Sequence, residues 1–283
     1  MSTWCSIMRG WFMAVAGGVY AFGGFAQTED IKKESQLDAL TYVTFNIGGG
    51  APSAFGFHQP FDLQRAGNYL KSLNADFVAL QEVDRFVGRN GNPKRDTAAE
   101  LAKMAGFPHV LYGKAMPLRG GEYGIALLAK MKPETWRVIP LPGEGEPRVF
   151  IDARFRLADG HTVSVCATHL GFPSVVRQSQ VRAIIAYYQE NPVDGILLAG
   201  DLNAETGSPE LKILKKVFTL VTPEPGQMTW LGGGKAIDHF LVWACRSGSW
   251  KVLSETRRLP YTTQKPLSDH MPVLLRVRWM PAS

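Results

Sequence analysis

Six short polar motifs each close an apolar, strand-like run: Asn46 in Val43-Thr44-Phe45-Asn46-Ile47, Gln81-Glu82, Thr168-His169-Leu170, Gly200-Asp201-Leu202-Asn203, Ile237-Asp238-His239 and Ser268-Asp269-His270. Carboxylates, carboxamides and imidazoles are costly beside buried strands unless something there binds them, so their recurrence at strand ends predicts one shared site. Hard oxygen donors accompanied by imidazoles suit a magnesium-assisted attack of water on phosphorus. Each motif alone says little. An Asp or Asn after a strand is ordinarily a turn residue bonded to its own backbone, and a lone His beside an apolar run is ordinarily a packing residue.

Local chemistry sharpens the reading. Glu82 follows the apolar run Phe77-Val78-Ala79-Leu80 and the amide Gln81, a position suited to holding a metal ion. Asp201 and Asn203, two apart on one strand-end loop, are expected to point the same way. In Asp269-His270 a carboxylate that orients the imidazole favours its protonated form, which binds phosphate oxygens or stabilises the transition state. Glu122 stands at the head of the run Tyr123 to Leu128; a carboxylate paired with an imidazole raises its pKa and suits it to protonate a leaving alkoxide. Arg148, just before Val149 to Phe155, is placed to fork onto a phosphate.

The elements that must position these groups alternate along the chain. Strands are predicted at Leu40 to Ile47, Asp76 to Val83, His109 to Tyr112, Tyr123 to Ala129, Val149 to Phe155, Thr162 to His169, Gly195 to Gly200, Ile237 to Trp243, Lys251 to Leu253 and Met271 to Trp279. Helices are predicted at Phe61 to Leu73, from the cap Asp96 through Met104 with Gly106 as the stop, at Val175 to Glu190 and at Pro209 to Val217. Alternating strands and helices without a repeat or low-complexity break predict one α/β domain over residues 40–283, preceded by a polar linker at 27–39.

Residues 1–26 read as a secretory signal peptide: Arg9 is positive, Trp11 to Phe25 is apolar with many small residues, and Gly24-Phe25-Ala26 precedes Gln27 as a small-x-small cleavage site. The run falls short of the ~20 apolar residues a membrane span needs and is diluted by glycine. A secreted or periplasmic product without a stable membrane span is expected. Removing Arg9 leaves 30 basic against 25 acidic residues, a net charge of +5. That excess favours an anionic substrate but forms no dense basic run. Cys166 and Cys245 lie in apolar runs, where a thiol packs as a small hydrophobe; their spacing leaves disulfide pairing open.

The order Asn46, Gln81-Glu82, Thr168-His169-Leu170, Gly200-Asp201-Leu202-Asn203, Ile237-Asp238-His239, Ser268-Asp269-His270 resembles the motif series of the endonuclease/exonuclease/phosphatase superfamily, from about Leu40 to Trp279. Pancreatic-type deoxyribonucleases, abasic-site endonucleases, sphingomyelinases and inositol polyphosphate 5-phosphatases belong to it. The resemblance implies a four-layer sandwich of two packed mixed β-sheets with helices on the outer faces. It also implies a magnesium- or manganese-dependent phosphoesterase, with Glu82, Asn46 and Asp269 at the metal. Asp201 then activates or positions water, Asn203 holds a phosphate oxygen or a metal, and Asp238 orients a neighbouring side chain beside a structural His239. His169, paired with Glu122, is similar to the arrangement of pancreatic-type nucleases. Ile125, where the family often has Asn, and Gly48, where abasic-site enzymes place an acid, weaken a DNA-repair assignment. The expected substrate is a phosphodiester, in nucleic acid or in a phospholipid head group. The alternatives are a phosphomonoesterase, a sphingomyelin phosphodiesterase and a non-catalytic phosphate-binding module. No protein partner is inferred.

Overall fold

Uninterrupted apolar runs such as Phe77-Val78-Ala79-Leu80 and Ile196-Leu197-Leu198-Ala199 are buried residue after residue, as strands covered on both faces must be. A computed structural model describes residues 39–50, 62–89, 93–221, 227–246, 248–258 and 266–282. The signal-like segment 1–26 and most of the linker lie outside them. In chain order the elements are β1 (Ala39–Asn46), α1 (Leu63–Ser72), β2 (Phe77–Arg85), α2 (Thr97–Ala105), β3 (His109–Leu118), β4 (Gly121–Ala129), β5 (Thr135–Leu141) and β6 (Arg148–Arg156). They continue with β7 (Thr162–His169), α3 (Ser174–Glu190), β8 (Gly195–Asp201), α4 (Pro209–Leu214), β9 (Thr219–Val221), β10 (Asp238–Ala244), β11 (Ser249–Arg258) and β12 (Val273–Met280).

Two six-stranded mixed sheets result, ordered β11-β12-β1-β2-β4-β3 and β5-β6-β7-β8-β10-β9. Each is antiparallel except for one parallel pair, β1 with β2 and β7 with β8. Parallel neighbours need a crossover, supplied by α1 in one sheet and α3 in the other. Both crossovers send two strand carboxyl ends to the same edge of their sheet. In register, Asn46 lies beside Gln81, and His169 and Asp238 flank Asp201 from either side.

The sheets meet through a core in which Tyr42 packs edge-on against Phe77 and Phe240, and Phe77 lies 4.9 Å from Phe155. Leu70 of α1 and Leu101 of α2 bury against the outside of the first sheet, and Ile184 of α3 and Leu211 of α4 against the second. Full burial of each such side chain stabilises by about 1.5–3 kcal/mol. The order helix, sheet, sheet, helix is the four-layer sandwich. Capping sets the helix ends: Asp96 accepts the Ala99 N–H at 3.1 Å, and Gly106 at φ 81° closes α2.

Two strands were not anticipated. β5 is an edge strand whose first three residues are exposed, and it carries Pro140, so it lacks the buried alternation that marks a strand. β9 spans only three residues. Cys166 and Cys245 are both free thiols.

Gly200 shows how tightly the sheet holds the site. A Cβ there would meet the backbone oxygen of Thr168 at 2.0 Å, next to Asp201. Backbone in a central strand cannot yield cheaply, so Gly200→Ala is expected to lose about 2–4 kcal/mol of stability in urea unfolding. An unchanged midpoint would show that β7 and β8 can separate locally.

Candidate active site

The two crossover edges face one another across the sandwich and bring the polar motifs together. Asn46 ends β1, and its amide nitrogen donates to Glu82 Oε1 at 3.1 Å and to Asp201 Oδ2 at 3.0 Å, lying 3.5 Å from His270 Nε2. Asn46 Oδ1 accepts the Gly48 N–H at 2.9 Å, which fixes the amide plane. Three motifs far apart in sequence thus converge on one carboxamide.

Asp201, fully buried at the end of β8, sits at the centre. Its Oδ1 accepts the Asn203 N–H at 2.8 Å, while Oδ2 faces His169 Nε2 at 3.5 Å and His270 Nε2 at 3.6 Å. Burial, and next the neighbouring Asp238, push its carboxyl up to about 7, against the pull of His270 and the two hydrogen bonds. A carboxylate poised there can take a proton from water near neutrality.

His270 is oriented by Asp238, not by its sequence neighbour. Its Nδ1 lies 2.9 Å from Asp238 Oδ2, whereas Asp269 turns its Oδ2 to the indole N–H of Trp230 at 3.3 Å. The pairing expected within Asp269-His270 is therefore corrected: consecutive residues project apart, and Asp238 arrives opposite because β10 pairs with β8. Burial opposes charge on His270, but Asp238 and Asp201 outweigh it and raise the imidazole to about 10. His239 faces away and contacts the Ala204 carbonyl at 2.8 Å.

His169 needs a larger correction. Glu122 pairs with Lys114 at 3.0 Å and Arg85 at 3.7 Å, leaving Arg148 Nη1 at 2.9 Å from His169 Nδ1. The physical reason is strand alternation. It is Tyr123, the next residue, that turns inward to bond Arg148 and to feel Glu82 and Glu146. A guanidinium has only donors, so His169 Nδ1 accepts and Nε2 carries the proton. Burial first, then Arg148 and His270, hold the His169 pKa well below its usual value, so the imidazole is neutral. Arg148 itself is buried and ion-paired with Glu146 at 2.7 Å, so it braces His169 where a fork onto phosphate was expected. Asn203 lies beside the same ring, its amide nitrogen 3.2 Å from Nε2 and donating to the Leu170 carbonyl at 2.9 Å.

Of the three residues expected to hold a divalent cation, Asn46 bonds Glu82 at 3.1 Å and Asp269 lies near enough to act on the Glu82 carboxyl. Burial pushes the Glu82 carboxyl up; Asn46, His270 and Arg148 lower it, and Asp269 raises it. An anion so desolvated beside a second carboxylate fits a site completed by a hard cation. Asp201, Asp238 and His270 also bring donor atoms within 4.8 Å of one another. There, however, the Asn46 amide nitrogen occupies the space between Asp201 and His270, and His270 Nδ1 is taken by Asp238. That trio is a chain for holding a proton. Glu82 and Asn203 both adopt left-handed backbone, at φ 55° and 50°, and Glu82 lies in an irregularity between Leu80 and Val83 where β2 departs from its register with β4.

Several members of this cluster carried little sequence signal. Trp230 holds Asp269 and lies 6.5 Å, ring to ring, from His270. Thr229 accepts the N–H groups of Ile237 and Asp238 on one hydroxyl, pinning the start of β10. The Gly232-Gly233 pair was the available clue, since a Cβ at Gly233 would meet the Trp230 ring at 2.1 Å. Tyr123 and Glu146 left no comparable mark.

A family model described as the endonuclease/exonuclease/phosphatase family matches residues 43–270. No curated protein matches the chain in sequence. Among solved structures, an endonuclease/exonuclease/phosphatase from Beutenbergia cavernae superposes with TM-score 0.69 at 21% identity, covering 87% of this chain and 72% of that one. TDP2 from D. rerio, complexed with a single-strand DNA product, gives 0.66 at 15% identity over 85% of this chain and 99% of that one. Sphingomyelinase C from Streptomyces griseocarneus gives 0.59 at 17%, over 87% and 99%. At these identities the superpositions speak for the fold alone, and the model match, which takes in every motif from Asn46 to His270, decides the affiliation: the chain belongs to the endonuclease/exonuclease/phosphatase family.

Proposed function

We propose that the protein is a divalent-metal-dependent phosphodiesterase that hydrolyses its substrate by direct attack of water. Members of the family are hydrolases of phosphoester bonds, typically metal-dependent. The observation that carries the reading is the convergence of Asn46, Glu82, Asp201, Asn203, His169, Asp238 and His270 at one edge, with a carboxylate near neutrality beside a charged imidazole. Glu82, Asp269 and Asn46 would hold magnesium, or manganese in its place. When bound, the ion would supply charge neutralisation at the phosphate and leaving oxygen.

The remaining roles belong to the chain. Asp201 Oδ2 takes the proton of the attacking water. His270, kept protonated by Asp238, presents Nε2–H to the phosphate oxygens as negative charge accumulates there. His169 is neutral and donates a hydrogen bond from Nε2, with no proton to deliver, so proton transfer to the leaving oxygen is not its task. Asn203, anchored to the Leu170 carbonyl, is left to position the phosphate.

Export to the periplasm or beyond is part of the proposal and rests on the amino-terminal segment. Among the described residues no helix is long and apolar enough to cross a membrane.

A substrate panel with magnesium or manganese tests the reading on plasmid DNA, RNA, sphingomyelin, bis(4-nitrophenyl) phosphate and inositol phosphates. Bis(4-nitrophenyl) phosphate and at least one natural diester should turn over, and chelation should abolish both reactions. Turnover confined to monoesters, or undiminished after chelation, would overturn it.

A further inference from the structure

The segment joining β7 to α3 leaves its largest side chain in water while its backbone is fastened from beneath. Gly171 donates its N–H to Gln180 Oε1 at 2.9 Å, and Arg177 donates to the carbonyls of Gly171 and Phe172. Arg177 is itself held by the fully buried Glu210, which also accepts from Ser174 Oγ at 2.8 Å. Phe172 nevertheless remains 68% exposed, and Val175 75%. The Phe172 ring has the guanidinium of Arg148 5.7 Å from its centroid, and the same guanidinium touches His169 at 2.9 Å. A ring so held has one face on a buried cation and one free, a single residue removed from the catalytic cluster.

We infer that Phe172 is an aryl-binding wall of the active site, stacking on a planar aromatic substituent esterified to the phosphate that the cluster cleaves. This rests on the phosphoester reading above. A ring carried on a fastened backbone loses little main-chain freedom on stacking, and aromatic faces accept any planar partner. A lipid surface fits this segment less well. The exposed apolar side chains of this segment are Phe172, Pro173 and Val175, and the adjoining β5–β6 loop, packed on Val176 through Gly143, carries the exposed Glu144 beside the Glu146 that pairs with Arg148. The Glu144 carboxylate at that rim opposes an anionic bilayer.

Calorimetric titration of the full chain in magnesium chloride with phenylphosphonate and with methylphosphonate provides the test. The phenyl compound should bind about ten- to a hundredfold tighter, the range that one stacked ring supplies. Phe172→Ala should bring the two affinities together by weakening only the phenyl compound, and Phe172→Trp should preserve the difference. Because the side chain is exposed, the thermal midpoint of each variant should stay at the wild-type value. Equal binding of the two phosphonates, or a difference that survives Phe172→Ala, would overturn the aryl wall and leave the phosphoester site standing. Binding of neither would overturn both. Co-sedimentation with phosphatidylcholine vesicles that is lost in Phe172→Ala would assign the ring to lipid and overturn the proposal.

Discussion

Asp238→Asn should lower kcat by about two to four orders of magnitude while leaving the fold intact, the loss expected when a major electrostatic group is disabled. Asp238 does not face the substrate directly; it acts through His270, whose Nδ1 it holds at 2.9 Å. Burial alone would drive the proton off His270, and the two carboxylates reverse this, carrying the imidazole to about 10. The sign follows. A raised imidazole pKa means that the active, protonated form is full below that value and is lost as pH rises through it. With asparagine at 238 the pKa falls, so the basic limb of the kcat profile should move to lower pH. Asp269→Asn should move that limb less, because Asp269 faces Trp230 and raises His270 less than Asp238 and Asp201 do. An unmoved limb in Asp238→Asn, or a defect confined to KM, would show that the 2.9 Å contact serves packing.

The contrast between Asp238 and Asp269 marks where sequence reading stops. Which residues gather at the site was legible, because Asn46, His169 and Asp201 terminate buried apolar strands, Glu82 follows the buried run Phe77 to Leu80, and His270 stands just ahead of β12. Which of them touch was not. Strand alternation sends Glu122 and Tyr123 to opposite faces, so Glu122 pairs with Lys114 while Tyr123 meets Arg148, the residue that contacts His169. Pairing across strands, such as Asp238 with Asp201, depends on register that no local pattern encodes. The fold was legible in the same uneven way. α2 ended where Asp96 and Gly106 predicted, and β5 stayed hidden because an exposed edge strand has no reason to alternate.

Glu82→Gln is expected to abolish most turnover and to raise the magnesium concentration needed for the remainder by at least about a hundredfold, since a neutral amide is a poor ligand for a hard cation. Stability gives a second readout with the opposite sign. Burial holds the folded-state pKa of Glu82 above its unfolded value, so the ionised carboxylate burdens the metal-free fold at neutral pH, and that burden fades as pH falls through the raised pKa. Metal-free Glu82→Gln should therefore melt higher than metal-free wild type. Magnesium should reverse the ranking, because a ligand at a hundred times its Kd stabilises the folded state by about 2.7 kcal/mol and the variant would gain almost none of it. Equal upward shifts of both melting curves with magnesium would move the metal away from Glu82.

The left-handed backbone at Glu82 and Asn203 sets folding and function against each other at single positions. Glycine would relieve each bend, by about 1 kcal/mol where the conformation suits it. Glycine would also delete the two side chains that the site can least spare. A library of this protein selected only for heat resistance should thus drift toward glycine at 82 and 203 and yield sturdy, inert molecules. Selection for turnover should hold both residues fixed and seek its stability elsewhere, in the helices and outer faces, where no side chain is committed to chemistry.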